Sequence, residues 1–443
     1  MNFRLFLRKN YPILLGAFAL QIIFFGLALY YKALYLTDSA EYFYQAENIK
    51  NHGSLYSGKW QKPFILQMWT FRTPVYGYLV YLIQQISASH FVILILQNIL
   101  AFLNFCGLVW LLKEVKLPRE LLQGILFLTL LFFPTRLVYI NMIMSEIILE
   151  TFLFWGFFCL FQFILKSAPH LLLVYNLLLC LAVLTKPVLV YFWIPNLLFI
   201  SYLGWKYQQQ KVVFYGLFMP FTIAALCFYN QQVTGYFHYS SIKTYNLSDY
   251  NTKALLVNLY GLEYANKKIG EITKTDSDFT GLEDRLEHIE AESYKIIKAN
   301  LGYYCWLHFR GMINFFLDPS RYDLYNFLPP LQTKTEFSFF NEWRLHGFAG
   351  IANYITKLPI GLTIYMGLIF IVNLITTAGL IFYVFCRKYS LILRFFIALL
   401  IVYISAASGP IGCSRFKEPV YLLIVFATVF AAEAWYNRRK ASA

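Results

Sequence analysis

Asp38 and Glu41 stand one helical turn apart in a stretch, Leu36 to Tyr81, that follows the first long apolar run and is dense in acidic, aromatic and amide side chains. A carboxylate so placed can take the proton from an attacking hydroxyl. The structural alternative for Asp38 is a helix cap, a role Asp fills well. Glu146 and Glu150 open another apolar run. The macrodipole favours a carboxylate at a helix start, but carboxylates bordering lipid depth need a partner, and Arg136 or Lys186 could supply one. Lys186 precedes Pro187, and Arg415 and Lys417 precede Pro419, each at the end of an apolar run. These cations either snorkel to the interface or, with Arg72, build an anion pocket. Arg suits the latter because its fork binds phosphate bidentately.

The elements that must position these residues are mostly apolar. Of the 443 residues 59% are hydrophobic and 14% charged, and the mean hydropathy is +0.54. Soluble domains carry roughly 25% charged residues, so the composition predicts an all-α polytopic membrane protein. Continuous rather than alternating apolar runs exclude a β-barrel. The net charge of +14 sits in short clusters beside the apolar runs. The positive-inside rule explains such clusters, and no basic soluble face points to nucleic acid.

Apolar length and the Lys/Arg bias predict about ten spans with both termini cytoplasmic. The runs lie near 11–31, 90–112, 120–138, 146–165, 170–185, 188–204, 212–230, 359–385, 391–407 and 420–436. The first is too long for a cleaved signal peptide and lacks a small-x-small site. Residues 32–89 are then external, with short interfacial helices expected over 38–50 and 74–87. The segment after Pro134, up to Glu146, is expected to be external too. The chain divides into an N-terminal membrane module (1–230) with 32–89 as its catalytic loop, an external segment (231–357) and C-terminal helices (358–443). The external segment takes most of the 23 acidic residues. It has an amphipathic helix at 283–301 and an aromatic stretch, 303–317, suited to the membrane surface. No inverted repeat suggests a transporter. The seven cysteines show no framework spacing. A bridge between Cys305 and Cys413 is the one left open by the topology.

The ordered set T-D-S-A-E-Y-F-Y-Q-A-E-N-I (37–49), R-T-P-V-Y-G-Y (72–78), P-T-R-L-V-Y-I-N-M-I-M-S-E (134–146), L-T-K-P (184–187) and S-R-F-K-E-P-V-Y (414–421) resembles the GT-C glycosyltransferases. More narrowly it is similar to their bacterial branch related to the protein O-mannosyltransferases and the aminoarabinose transferase of lipid A. The resemblance covers most of residues 1–200 and the last forty or so. It implies a GT-C-like helix bundle and a sugar donor carried on polyprenyl phosphate. It assigns the general base to Asp38 and the second acidic residue of the site to Glu146. It implies substrate contacts for Glu41, Arg72, Tyr76, Lys186, Arg415 and Lys417. Family members often read R-P-P or R-x-P-G-Y-P where this chain has Arg72-Thr73-Pro74-Val75-Tyr76-Gly77. Some relatives pair Asp and Glu directly, whereas Asp38 and Glu41 are separated here. The family contains metal-dependent and metal-independent enzymes; no metal-ligand spacing stands out, so no cofactor is assigned.

The implied activity is inverting transfer of a sugar from undecaprenyl phosphate to an acceptor hydroxyl, at the periplasmic face of a bacterial inner membrane. Overall organisation is similar to the serotype-converting O-antigen glucosyltransferases of phages, which implies glucose as the sugar and an O-antigen or other lipid-linked glycan as the acceptor. The alternatives are a lipid A or protein glycosyltransferase of the same fold, an O-antigen polymerase or ligase, and a lipid-linked sugar transporter. A polymerase or ligase would lean on arginines of the long external loop, and a transporter needs no base.

Overall fold

In lipid every backbone polar group must be satisfied within its own segment, which leaves helices as the solution for continuous apolar runs. The computed structural model describes residues 3–274, 278–329, 347, 349–350, 353, 356 and 358–442, and among them all regular structure is helical. Much of the expected external segment beyond residue 329 lies outside the described residues. The order begins with α1 (Phe3–Tyr31), α2 (Thr37–His52), α3 (Pro74–Ile86), α4 (Phe91–Leu111), α5 (Arg119–Leu131), α6 (Pro134–Ile140) and α7 (Glu146–Lys166). It continues with α8 (Pro169–Val183), α9 (Trp193–Lys206), α10 (Val213–Gly216), α11 (Phe218–Thr234), α12 (Ile242–Tyr245), α13 (Lys253–Tyr260), α14 (Leu262–Thr273) and α15 (Leu282–Ala299). It closes with α16 (Leu301–Leu317), α17 (Arg321–Phe327), α18 (Ile360–Phe385), α19 (Leu391–Ala407), α20 (Ser414–Lys417) and α21 (Tyr421–Ser442).

Each of the ten predicted spans contains helix. Among the described residues, six helices are long and apolar enough to cross a membrane, or seven if α5 and α6 count as one bent span. α8 and α19 are apolar but shorter. The chain turns by 62° between α5 and α6. Pro134 opens α6 and cannot continue the ladder of α5, and it pushes Phe133 out of the helical region to φ −130°, ψ 68°. The segment from Pro134 to Glu146, expected to be external, is buried within the protein throughout. α6 and the turn after it are apolar enough to serve as core, and Ile143 N donates to Leu34 O at 2.9 Å.

Two cores result. The larger joins α4, α7, α8, α9, α19 and α21 through residues such as Phe157, Tyr175, Phe396 and Phe426. Lipid tails are as apolar as these side chains, so close packing rather than water exclusion holds this part together. The smaller core, with Tyr42, Ala46, Tyr76, Val80, Ile143 and Ile147, joins the end of α1 to α2, α3 and the segment entering α7. α2 and α3 are the two short helices expected in the first loop. Gly53 closes α2 at φ 63°, where its N–H donates to Ile49 O at 3.1 Å. Pro74 starts α3, and Val75 N donates to Leu184 O at 3.2 Å.

Helix α15 covers the predicted amphipathic stretch. α16, expected on the membrane surface, packs on the 409–417 turn and on α18 and leaves Trp306 and Phe309 exposed. Gly311 and Gly412 allow that close approach, because a Cβ on either would collide with backbone of the other strand of chain. The segment after α11 also grips the first loop: Ser241 Oγ donates to Gln67 O at 2.6 Å, Ser240 Oγ to Phe71 O at 3.1 Å, and Arg285 to Gln67 Oε1 at 2.9 Å. Cys305 and Cys413 are both free.

Candidate active site

Asp38 lies in the first turn of α2, but Ser39 does the capping: Leu36 N donates to Ser39 Oγ at 2.9 Å. Ser39 Oγ in turn donates to Ile143 O at 2.8 Å and ties α2 to the entry of α7. The Asp38 carboxylate is thereby left for cations. Its Oδ1 is 3.0 Å from an Arg72 terminal nitrogen and its Oδ2 is 2.6 Å from one of Arg415. Arg415 Nε also donates to Glu146 Oε1 at 2.6 Å, and Lys186 Nζ donates to the same oxygen at 2.8 Å. Arg72 Nε donates to Glu41. Three carboxylates and three cations from five separate parts of the chain thus form one continuous network.

Access varies across it. The Glu146 side chain is fully buried, while Asp38, Glu41, Lys186 and Arg415 each keep about a fifth of their side-chain surface exposed. The second Glu146 oxygen is buried and accepts no hydrogen bond. Buried polar atoms are almost always partnered, so this one marks spare acceptor capacity inside the network. Burial pushes the Asp38 carboxyl up, but the Arg72 and Arg415 guanidiniums outweigh it and hold it well below the usual carboxylate range. Burial prevails at Glu41, whose carboxyl is raised despite Arg72. Rings steady the guanidiniums: Arg72 lies 5.2 Å from the Tyr42 ring centre and Arg415 5.5 Å from that of Tyr139.

Beside the network is a cavity of about 490 Å³ lined by Pro74, Val75, Leu79, Ile148, Phe152 and Leu184 among others, with almost no polar surface. Its lining residues Pro74, Ile148 and Leu184 each lie two positions in sequence from Arg72, Glu146 and Lys186. Thr73 Oγ1, one residue from Arg72, donates to Thr185 O, one residue from Lys186, at 2.9 Å.

Two expected contact residues stand elsewhere. Lys417 is two positions from Arg415 on a short helix, and residues so spaced do not share a face. Its ammonium is buried and donates to Phe316 O at 3.0 Å and Asn373 Oδ1 at 2.9 Å, so it stitches α16 to α18. Tyr76 is fully buried, and its hydroxyl donates to Gln97 Oε1 at 2.6 Å. Arg136 pairs with Glu150 rather than Glu146, through bonds of 2.8 and 2.7 Å.

Sequence reading missed the acids that hold the Arg415 turn. Asp318 accepts from Ser414 N at 2.8 Å and from its hydroxyl at 2.6 Å. Asp323 accepts from Thr135 Oγ1 at 2.7 Å and from the Tyr139 hydroxyl at 3.0 Å, and its Oδ2 is 2.7 Å from Ser414 Oγ. Burial and the neighbouring Asp318 push the Asp323 carboxyl up to about 6, against the hydroxyls that favour its ionised form. No local motif announces these acids; only the fold brings α17 against α6 and Ser414. Among the described residues, no group of three or more His, Cys, Asp or Glu is placed to hold a metal ion. No family model, curated protein or solved structure matches this chain.

Proposed function

We propose that the protein is an inverting glycosyltransferase that uses a polyprenyl-phosphate sugar at the outer face of a bacterial inner membrane, within a GT-C-like bundle of about ten spans. The observation that carries this reading is the juxtaposition of the Asp38–Arg72–Arg415–Glu146–Lys186 network with an apolar cavity among membrane-type helices. A donor with one charged phosphate between a sugar and a long hydrocarbon needs both environments side by side. A soluble sugar nucleotide needs no cavity of this kind. Glucose and an O-antigen or other lipid-linked glycan are the sugar and acceptor suggested by the resemblance.

In the reaction an acceptor oxygen attacks the anomeric carbon. The new C–O bond forms as the bond to the phosphate oxygen breaks, and polyprenyl phosphate leaves with the electron pair. The acceptor proton goes to Asp38. Arg415 and Lys186 meet the charge that develops on the phosphate, and Glu146, which accepts from both, positions them. Held by two guanidiniums, Asp38 is a weak base. A phosphate that draws Arg415 away restores its basicity, so base strength and donor occupancy rise together.

The test is sugar transfer from the lipid donor by membranes carrying wild-type or Asp38→Asn protein. Transfer by the wild type that falls about 10²- to 10⁴-fold in the variant is expected. Full activity in a well-folded variant rules out Asp38 as the base. Transport without transfer in the wild type replaces the enzyme with a flippase.

A further inference from the structure

The network and the cavity account for a phosphate and a hydrocarbon chain, and leave the sugar between them without a described contact. The segment after α11 supplies candidates. Asn246–Thr252, between α12 and α13, is a π-helical turn. Such turns are rare and often stand at functional sites. This one is fastened on both sides. Asn251 Nδ2 donates to Asn246 O at 2.8 Å, and Asn251 Oδ1 accepts from the Tyr304 hydroxyl at 2.8 Å. The same amide lies against Gly409, which has φ +66° and no room for a Cβ, in the turn that leads to Arg415.

The rings in and just before this turn run toward the charged network. Tyr245 stands edge-on to Phe71 at 5.5 Å, and the Arg72 guanidinium is 5.1 Å from the Phe71 ring centre. Tyr250 stands at 90° to Tyr245 with ring centres 5.6 Å apart. Burial and the Asp38 charge push the Tyr250 hydroxyl up, against Arg415, and Tyr322 is the neighbour of Asp323, whose Oδ2 is 2.7 Å from Ser414 Oγ, next to Arg415. Tyr250 and Tyr322 are 41% and 63% exposed. Their ring faces can take the C–H surface of a pyranose while their hydroxyls bond its oxygens, the amphipathic use to which Tyr is suited. The carboxylates and guanidiniums beneath supply the polar floor.

We propose that Tyr245, Tyr250 and Tyr322 form the wall that binds the sugar of the lipid-linked donor above the Asp38–Arg415 pair. The proposal rests on the functional reading above, and assigns sugar recognition to the π-helical turn and α17.

The experiment measures binding of two probes to the purified full-length protein in detergent: undecaprenyl phosphate, and the same lipid phosphate carrying glucose. Tyr250→Ala is expected to weaken the glucosyl lipid about 5- to 10-fold and to leave undecaprenyl phosphate within about twofold. Tyr250→Phe keeps the ring and retains most of the difference. The exposed Tyr322→Ala repeats the test should Tyr250→Ala fail to fold. Equal weakening of both lipids, or of neither, overturns the wall while the functional reading stands. A wild type that binds neither lipid overturns both.

Discussion

Two ion-paired clusters lie within a few turns of each other and are built from the same residue types, yet they are opposite in design. Arg136 and Glu150 form a closed pair: their side chains are 3% and 0% exposed, the guanidinium meets both carboxylate oxygens, and Asn104 and Ala101 O take remaining valences. Around Asp38 the charges are shared instead. Arg415 serves two carboxylates, Glu146 serves two cations, one of its oxygens serves none, and every side chain of the six except Glu146 keeps contact with solvent. A closed pair can only be broken. A shared network can exchange a partner for a substrate group at modest cost, since Asp38, Arg72, Glu146 and Arg415 each keep a second partner. Burial and valence therefore distinguish a structural pair from a candidate site where residue type does not.

The comparison breaks most sharply at the closed pair. Arg136→Leu strands Glu150 in the core and is expected to cost about 3–5 kcal/mol, read as loss of folded protein after detergent extraction. Survival of a stable Arg136→Leu protein would falsify the claim that the pair is structural. Arg415→Gln in the shared network should instead leave the protein folded, with a thermal midpoint within a few degrees, while the proposed sugar transfer falls on the order of 10²-fold.

A third effect is pH-dependent and sits between the two. The folded-state value for Asp323 lies near 6, above its ordinary 3.8, so the fold prefers the protonated acid. That contribution is complete below about 3.8 and is lost as pH rises through about 6, in total about 2–3 kcal/mol. Thermal unfolding from pH 4.5 to 7.5 should show wild type losing stability relative to Asp323→Asn across that window. Parallel curves would mean that the carboxyl titrates normally. The smallest effect belongs to Lys243 and Glu290, 3.0 Å apart with the Lys half exposed. Lys243→Ala should change stability by less than about 1 kcal/mol, a baseline against which the other variants are read.

Much of this was legible from one dimension. Apolar run length predicts helix at all ten positions, and Pro74 and Gly53 mark the ends of the two short helices of the first loop. Asp38, Arg72, Glu146, Lys186 and Arg415 stand out because charge at the end of an apolar run is costly wherever the chain folds. Lys417 obeys the same rule and Tyr76 lies in a motif, and the fold puts both to work inside the protein. Asp318, Asp323 and the tyrosines of the π-helical turn carry no such signal, because they lie in a polar segment where acids and aromatics are unremarkable.

By itself the sequence determined the helical membrane character of the protein and the short list of ionisable groups that must find partners, since both follow from transfer of single residues into lipid. Only the tertiary structure decided which partners they found. Arg136 goes to Glu150 and Lys186 to Glu146, separated from it by 40 positions; Arg415 reaches Asp38 across 377. Pairings over such distances depend on how helices pack and where α5 bends into α6, and those are properties of the whole assembly rather than of any window of sequence.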